Sequence, residues 1–209
     1  MRRRLATATF ANCQLPTANC QLLFFPSPLH PGSAPATIGR REFVMLAFLC
    51  GGMEYAAEGG RDWRERIRLW LQDNLNHRVY DPTREARRLF SAEELRGLPS
   101  WKTQDPERFR RIMRIAINHD LNVMANQSDY VICLWDEAAV RGGGSQAELT
   151  AAYRKAIPVY VVTEMPVEEI SGWVLGCTDK VFATFDELKS FLAETYGKEA
   201  RQQALWERL

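Results

Sequence analysis

The chain has 209 residues, of which 46% are hydrophobic and 25% charged, and its formal net charge is +1. These values predict a globular protein with a core of ordinary size, and they exclude the strongly basic surface typical of proteins that bind nucleic acid or anionic membranes. No apolar stretch reaches the roughly 20 residues that a membrane span needs. The five cysteines form no CxxC pair and the three histidines are scattered, so we predict no metal site. Cys50 and Cys133 lie in apolar runs, which predicts buried free thiols and a reducing, cytoplasmic location.

The N-terminal part of the chain differs from the rest. Residues 11–16 are nearly repeated at 18–22, a stretch rich in proline, serine, glycine and alanine follows, and neither helical nor strand periodicity is visible. No continuous apolar core follows the arginines that open the chain, so a secretory signal peptide is not predicted. We predict that residues 1–42 form a disordered extension and residues 43–209 the folded domain, with Met45 as an alternative natural start.

Regular patterns begin at residue 43. The predicted elements, in chain order, are a strand at 43–50, a helix at 62–75, a strand at 78–80, short helices or loop at 84–96, a long helix at 106–127, a strand at 130–135, a helix at 146–155, strands at 158–163 and 181–183, and helices at 186–196 and 198–209. Apolar strands that alternate with helices of about ten or more residues predict a parallel sheet covered on both faces. The predicted fold is therefore a doubly wound α/β domain, Rossmann-like or flavodoxin-like, with about five strands.

Ligands of such folds bind outside the carboxyl ends of the strands. The candidate site residues at these ends are Gly51, Gly52 and Met53 after the first strand, Asp81 after the second, and Asp136, Gly142, Gly143, Gly144, Ser145 and Glu148 after the third. The glycine run has two interpretations: a backbone that approaches an anionic ligand at a helix start, or a flexible loop with Ser145 as helix cap. The run matches neither GxGxxG nor a P-loop, so we predict no nucleotide cofactor, and no other cofactor is indicated.

Two acidic residues are ambiguous from spacing alone. Ser145 and Glu148 have the spacing of a capping box, so the pattern favours a structural role for the glutamate. Asp120 lies in the predicted long helix, where an aspartate is usually a solvated surface residue. Arg141, beside the glycine run, is the arginine that we would test for anion binding.

Four stretches of sequence favour functional roles for Glu148 and Asp120. They are Asn118-His119-Asp120-Leu121, Ser128-Asp129-Tyr130-Val131-Ile132, the run from Gly144 to Tyr153 (GSQAELTAAY), and Ile157-Pro158-Val159. Together with the opening strand and its Gly51-Gly52-Met53 turn, they resemble the nucleoside 2-deoxyribosyltransferase superfamily over roughly residues 43–192. The resemblance implies that Glu148 is the nucleophile that attacks the anomeric carbon and that Asp120 assists proton transfer at the leaving base.

The resemblance also implies a substrate class and an assembly. The substrate is expected to be a nucleoside or its 5′-monophosphate, bound by the glycine turns, Ser145 and Asp136, and the pocket is expected to be completed within a homo-oligomer. Transferases of this family often carry an extra aspartate six positions before the nucleophile, where this chain has Gly142. That departure favours the relatives that hold a 5′-phosphate.

Other interpretations stay open at this level. The same fold could bind a nucleotide derivative without turning it over, as a sensor, and a flavodoxin-like redox protein is a weaker alternative. Trp63 and Trp70 are predicted to be core residues, and Arg64, with the arginines that follow it on the same helix, is predicted to lie on a solvated face. Trp101 is placed in a polar linker, where it either stacks on a base or packs locally.

Overall fold

The computed structural model describes residues 44–197, so the predicted extension at 1–42 and the predicted helix at 198–209 lie outside the described residues. The strands are β1 (Leu46–Gly51), β2 (Arg78–Tyr80), β3 (Tyr130–Leu134), β4 (Val159–Val162) and β5 (Lys180–Phe182). The helices are α1 (Arg61–Leu75), α2 (Pro82–Leu89), α3 (Ala92–Gln104), α4 (Pro106–Gln127), α5 (Glu137–Arg141), α6 (Gly143–Arg154), α7 (Gly172–Gly176) and α8 (Phe185–Tyr196). Short 3-10 helices cover Ala57–Gly60 and Val167–Glu169.

The five strands form one sheet in the order β2-β1-β3-β4-β5, and every neighbouring pair is parallel. The predicted doubly wound parallel sheet is therefore confirmed, and its order is the flavodoxin-like one. The order reverses at β1, because the chain first adds β2 on one side and then adds β3 on the other. Folds of this kind bind ligands in the crevice that opens at this reversal, at the carboxyl ends of β1 and β3.

Apolar residues bury both faces of the sheet. One face packs against α1 and α8, through residues such as Ile67, Leu71 and Leu188. The other face packs against α4, α6 and α7, through residues such as Met124, Leu149 and Val174. The strands read as continuous apolar runs because neither face is exposed to solvent.

The connections at the carboxyl edge hold most of the differences between prediction and structure. The charged stretch at 84–96, predicted as short helices or loop, forms most of α2 and the start of α3, and each helix begins at a side-chain cap, Asp81 and Ser91 respectively. A further short helix, α5, lies between β3 and the glycine run. No helix within residues 44–197 is long and apolar enough to cross a membrane.

Candidate active site

The glycine run after β3 does not form a loop. Helix α6 begins at Gly143, with Gly142 as an N-cap in extended conformation that makes no side-chain cap bond. Ser145 is therefore the third residue of the helix, and Glu148 lies in its second turn. The capping-box interpretation of Ser145 and Glu148 is wrong, because the N-cap is Gly142 and Glu148 is the sixth residue of the helix.

Glu148 instead points toward the end of β1. Its carboxyl lies within hydrogen-bonding reach of the Cys50 thiol and interacts with the charges of Asp120 and Arg64. The pKa of Glu148 is raised to about 7, chiefly by burial; the Cys50 thiol lowers it, the Asp120 charge adds to the rise, and the Arg64 charge lowers it. A glutamate with a pKa near neutrality in a strand-end crevice is typical of catalytic carboxyl groups.

Asp120 reaches the same place from α4 and is held there by a tyrosine. The Tyr80 hydroxyl, at the last residue of β2, donates a hydrogen bond of 2.5 Å to Oδ1 of Asp120. Burial raises the pKa of Asp120, and the hydrogen bond from Tyr80 opposes that shift. Because Tyr80 also interacts with the charge of Glu148, the three groups form one electrostatic unit.

Cys50 lies next to Glu148. Its thiol donates to the carbonyl of Ser145 at 3.8 Å, and burial raises the pKa of the thiol well above its usual range. Cys133 is its register partner on β3, and both cysteines are fully buried. The predicted buried free thiols are confirmed. A neutral thiol here offers a hydrogen bond to Glu148, which lowers the pKa of the glutamate and so opposes part of the effect of burial.

The β1–α1 turn is fixed by Arg64, a residue that was predicted to lie on a solvated helix face. Arg64 has no exposed surface. Its guanidinium donates to the carbonyls of Gly51 at 2.8 Å and Gly60 at 2.9 Å, with longer bonds to Gly52 and Gly59. Its Nε lies 3.9 Å from Oδ1 of Asp81. The prediction of a solvated face is therefore wrong for Arg64, which braces the turn that carries the candidate substrate-binding glycines.

Gly51 and Gly52 are required by close packing. Gly51 has φ of 147°, a backbone conformation that other residues rarely adopt. A Cβ on Gly52 would lie 2.6 Å from the Cβ of Ala138 and 2.7 Å from the Ala138 carbonyl carbon, so the turn after β1 and helix α5 meet with no room for a side chain. By contrast, nothing lies within 4 Å of a Cβ added to Gly143 or Gly144.

These two environments give opposite predictions for one substitution. Gly52→Ala is expected to destabilise the fold by about 1–3 kcal/mol, because backbone atoms of α5 must shift. Gly144→Ala is expected to stabilise it by about 0.5–1 kcal/mol, because alanine favours a helix over glycine. Urea unfolding of both variants measures this difference, and equal midpoints would contradict it. A Gly144→Ala protein that is stable but slower would also indicate that the open glycine faces substrate.

Asp136 and Met53 are two further predicted binding residues. The Asp136 side chain accepts from the amide of Ala139 at 2.9 Å and so caps α5. It also borders a groove of about 490 Å³ at the ends of β3, β4 and β5. Met53 lies on the exposed part of the turn after β1, with its side chain open to solvent.

The aromatic candidates pack locally. Trp101 lies in α3, not in a linker, and the Arg108 guanidinium stacks 3.8 Å from its ring centroid. Arg141 stacks in the same way on Tyr55, 4.0 Å from the ring centroid. Trp63 is buried as predicted. Within residues 44–197, no group of three or more His, Cys, Asp or Glu side chains is arranged to hold a metal ion.

Comparison with known proteins relates this fold to solved structures. No protein family model matches the chain, and no curated protein is significantly similar to it. Among solved structures, the chain is similar to a 2-deoxyribosyltransferase from the psychrotolerant bacterium Bacillus psychrosaccharolyticus, with a TM-score of 0.51, 15% identity, and coverage of 69% of this chain and 90% of that one. It is also similar to a conserved protein from Enterococcus faecalis V583, with a TM-score of 0.48, 12% identity, and coverage of 70% and 96%.

The topology defines a five-stranded α/β protein whose crevice opens at the carboxyl ends of β1 and β3. Within that class, the chain has the 2-deoxyribosyltransferase fold, as the resemblance in its sequence implied. The fold alone assigns no activity.

Proposed function

We propose that this protein is an enzyme of the nucleoside 2-deoxyribosyltransferase superfamily that cleaves or transfers the N-glycosidic bond of nucleosides, deoxynucleosides or their 5′-monophosphates. The observation that carries the proposal is the pairing of two partly buried carboxyl groups from different helices, Glu148 and Asp120, at the end of β1. A structural capping role for Glu148 no longer competes with this proposal, because the residue lies in the second turn of α6.

The proposed reaction has two displacements. The Glu148 carboxylate attacks C1′, the bond from C1′ to the base nitrogen breaks, and its electron pair leaves with the base as Asp120 delivers a proton to that base. Water or a second base then attacks C1′, the bond to Glu148 breaks, and Asp120 takes the proton of the acceptor. Two inversions give net retention. The backbone of Gly51 and Gly52, the α6 start at Gly143 to Ser145, Met53 and Asp136 are proposed to line the substrate site.

A chromatographic screen for free base tests the proposal. Purified protein is incubated with ribonucleosides, deoxynucleosides and their 5′-monophosphates, with and without an acceptor base. Release of base in water indicates a hydrolase, and exchange only with acceptor indicates a transferase. Binding without any release would favour the sensor alternative over an enzyme. The homo-oligomer and the cytoplasmic location stay predictions, of which light scattering checks the first.

The pH profile gives a second test, because the two carboxyl groups titrate as a pair. The value of about 7 for Glu148 includes repulsion by an ionised Asp120, so it describes loss of the last proton from the pair. A purine or pyrimidine leaving group needs that proton, so kcat/KM is expected to fall as the pH rises above about 7.

A leaving group that needs no proton should reverse this dependence. A 4-nitrophenyl deoxyriboside releases 4-nitrophenolate, a stable anion, and requires only ionised Glu148. Its kcat/KM is therefore expected to rise through about pH 7, where Glu148 loses its proton. Parallel profiles for the two substrates would contradict the assignment of a proton-bearing carboxyl pair.

A further inference from the structure

The hydroxyl of Tyr80 is placed to select which oxygen of Asp120 delivers the proton. It donates a 2.5 Å hydrogen bond to Oδ1, so that oxygen is already committed as an acceptor. Oδ2 is then the oxygen left to carry a proton toward a leaving base. A carboxyl group held by one oxygen keeps a single orientation, which is the requirement for directed proton transfer.

Tyr80 is itself held rigidly. Its side chain is buried, and its ring stacks on Phe48 of β1 with centroids 5.0 Å apart and an interplanar angle of 15°. The same ring also contacts the His119 ring, with centroids 5.9 Å apart. A phenol fixed by a strand neighbour can fix its partner in turn.

The phenol is a donor and not a proton source. Burial, followed by the hydrogen bond to Asp120, raises the pKa of Tyr80 above its usual range, so the hydroxyl keeps its proton at neutral pH. The Asp120 carboxyl is faced by Tyr80 of β2, Glu85 of α2, His119 of α4 itself and Glu148 of α6. Within this set, Tyr80 is the group joined to Asp120 by a hydrogen bond between side chains.

We propose that Tyr80 is a positioning residue for leaving-group protonation, which holds Asp120 by Oδ1 so that Oδ2 faces the departing base. This role rests on the proposed N-glycosidic chemistry. It explains why a tyrosine ends β2 at the carboxyl edge of the sheet, where a buried hydroxyl needs a partner.

The test is Tyr80→Phe, which keeps the ring and its stacking on Phe48. With a nucleoside or nucleotide that the wild type cleaves, kcat is expected to fall roughly tenfold or more with little change in KM, a part of the 10²–10⁴-fold that general acid catalysis supplies. With 4-nitrophenyl deoxyriboside, kcat/KM is expected to stay at the wild-type value, because kcat/KM reports the first displacement and that step needs no proton for this leaving group. A purely structural role would lower both rates alike.

Three further measurements make the result decisive. Tyr160→Phe is the matched control, since the Tyr160 hydroxyl bonds the Tyr196 hydroxyl at 2.6 Å on the opposite face of the sheet, and it is expected to keep full activity on both substrates. In an Asp120→Asn background, Tyr80→Phe is expected to add no further loss. Carboxyl NMR titration is expected to show a higher pKa for Asp120 in Tyr80→Phe than in the wild type, because a hydrogen bond to the ionised form is lost.

The outcomes separate the two proposals. An unchanged Asp120 titration, or equal losses on the two substrates, overturns the role of Tyr80 and leaves the proposed chemistry standing. A wild-type protein that releases neither base nor 4-nitrophenol overturns the proposed function, and the reaction assigned to Tyr80 falls with it. A loss confined to the substrates that need a proton supports both.

Discussion

Replacing Glu148 by glutamine is expected to abolish turnover and to make the folded protein more stable. Loss of the nucleophile should lower kcat by roughly 10³-fold or more, since the proposed reaction forms its bond to C1′ through the Glu148 carboxylate. Stability should rise because the carboxyl is costly to ionise in its buried position, where its pKa is about 7 against an ordinary 4.5. An amide of the same shape carries no such cost.

The sign of the stability change depends on pH. Between the ordinary pKa and about 7 the folded protein binds more protons at Glu148 than the unfolded chain does, so the glutamate lowers stability progressively as the pH rises through this window. We therefore expect Glu148→Gln to be more stable than the wild type by about 2 kcal/mol at about pH 8, and nearly equal to it at about pH 4. Urea unfolding at both pH values measures the difference.

A matched control uses the same chemical change elsewhere. Glu194 is exposed on α8, so Glu194→Gln is expected to keep full activity and to change stability by less than about 0.5 kcal/mol. A Glu148→Gln protein that is less stable than the wild type at about pH 8 would indicate a structural role. Full activity in that variant would remove Glu148 as nucleophile.

The strands could be predicted from sequence because they are buried on both faces. An uninterrupted apolar run such as Tyr130 to Leu134 has few alternatives in a chain of this composition, and the alternation with helices then predicts a parallel sheet. The long helix α4 could also be predicted, since Asp105 caps it and Pro106 is its first residue, as predicted. These signals are local, and local signals can be read directly from the chain.

The glycine run was misread for a physical reason. Three glycines and a serine disfavour a helix, at roughly 1 kcal/mol per glycine, so the pattern predicts a loop. In the structure, burial of Ser145 and Leu149 holds the first turns of α6 in place, and tertiary packing outweighs propensity. Because α6 begins earlier than predicted, Glu148 lies in the helix interior and not at a cap. It still lies at the carboxyl edge of the sheet, so it stays a candidate site residue.

The groups around Glu148 make contacts that the spacing of residues in the sequence does not predict. Tyr80 was recognised only as the end of a strand, although the strand-end rule that singled out Asp81 applied to its neighbour as well. Its partner Asp120 is 40 positions away, and nothing in either local pattern indicates the hydrogen bond. Arg64 was assigned to solvent by its charge, but it stands three residues before Ile67 and seven before Leu71, within the apolar stripe of α1.

Substitution of Arg64 is expected to have the largest effect on stability among the variants proposed. In Arg64→Met the apolar stem can still pack, but the carbonyls of the β1–α1 turn lose their donor and Asp81 loses the cation beside it. Removing one partner of a buried ion pair typically costs 3–5 kcal/mol, because the other charge stays buried. We expect Arg64→Met to lose about this amount in urea unfolding. Arg66→Met, on the exposed face of the same helix, should lose less than about 0.5 kcal/mol.

Arg64→Lys separates the charge of the arginine from its shape. Lysine supplies a positive charge beside Asp81, which retains bonds from the amide and hydroxyl of Thr83 at 2.9 and 2.8 Å. It cannot reproduce the planar fork that reaches the carbonyls of Gly51 and Gly60 together. We therefore expect Arg64→Lys to fall between the wild type and Arg64→Met in stability. If lysine restores full stability, the pairing with Asp81 is what matters; if it restores none, the hydrogen bonds of the arginine to the carbonyls of the glycine turn are what matters.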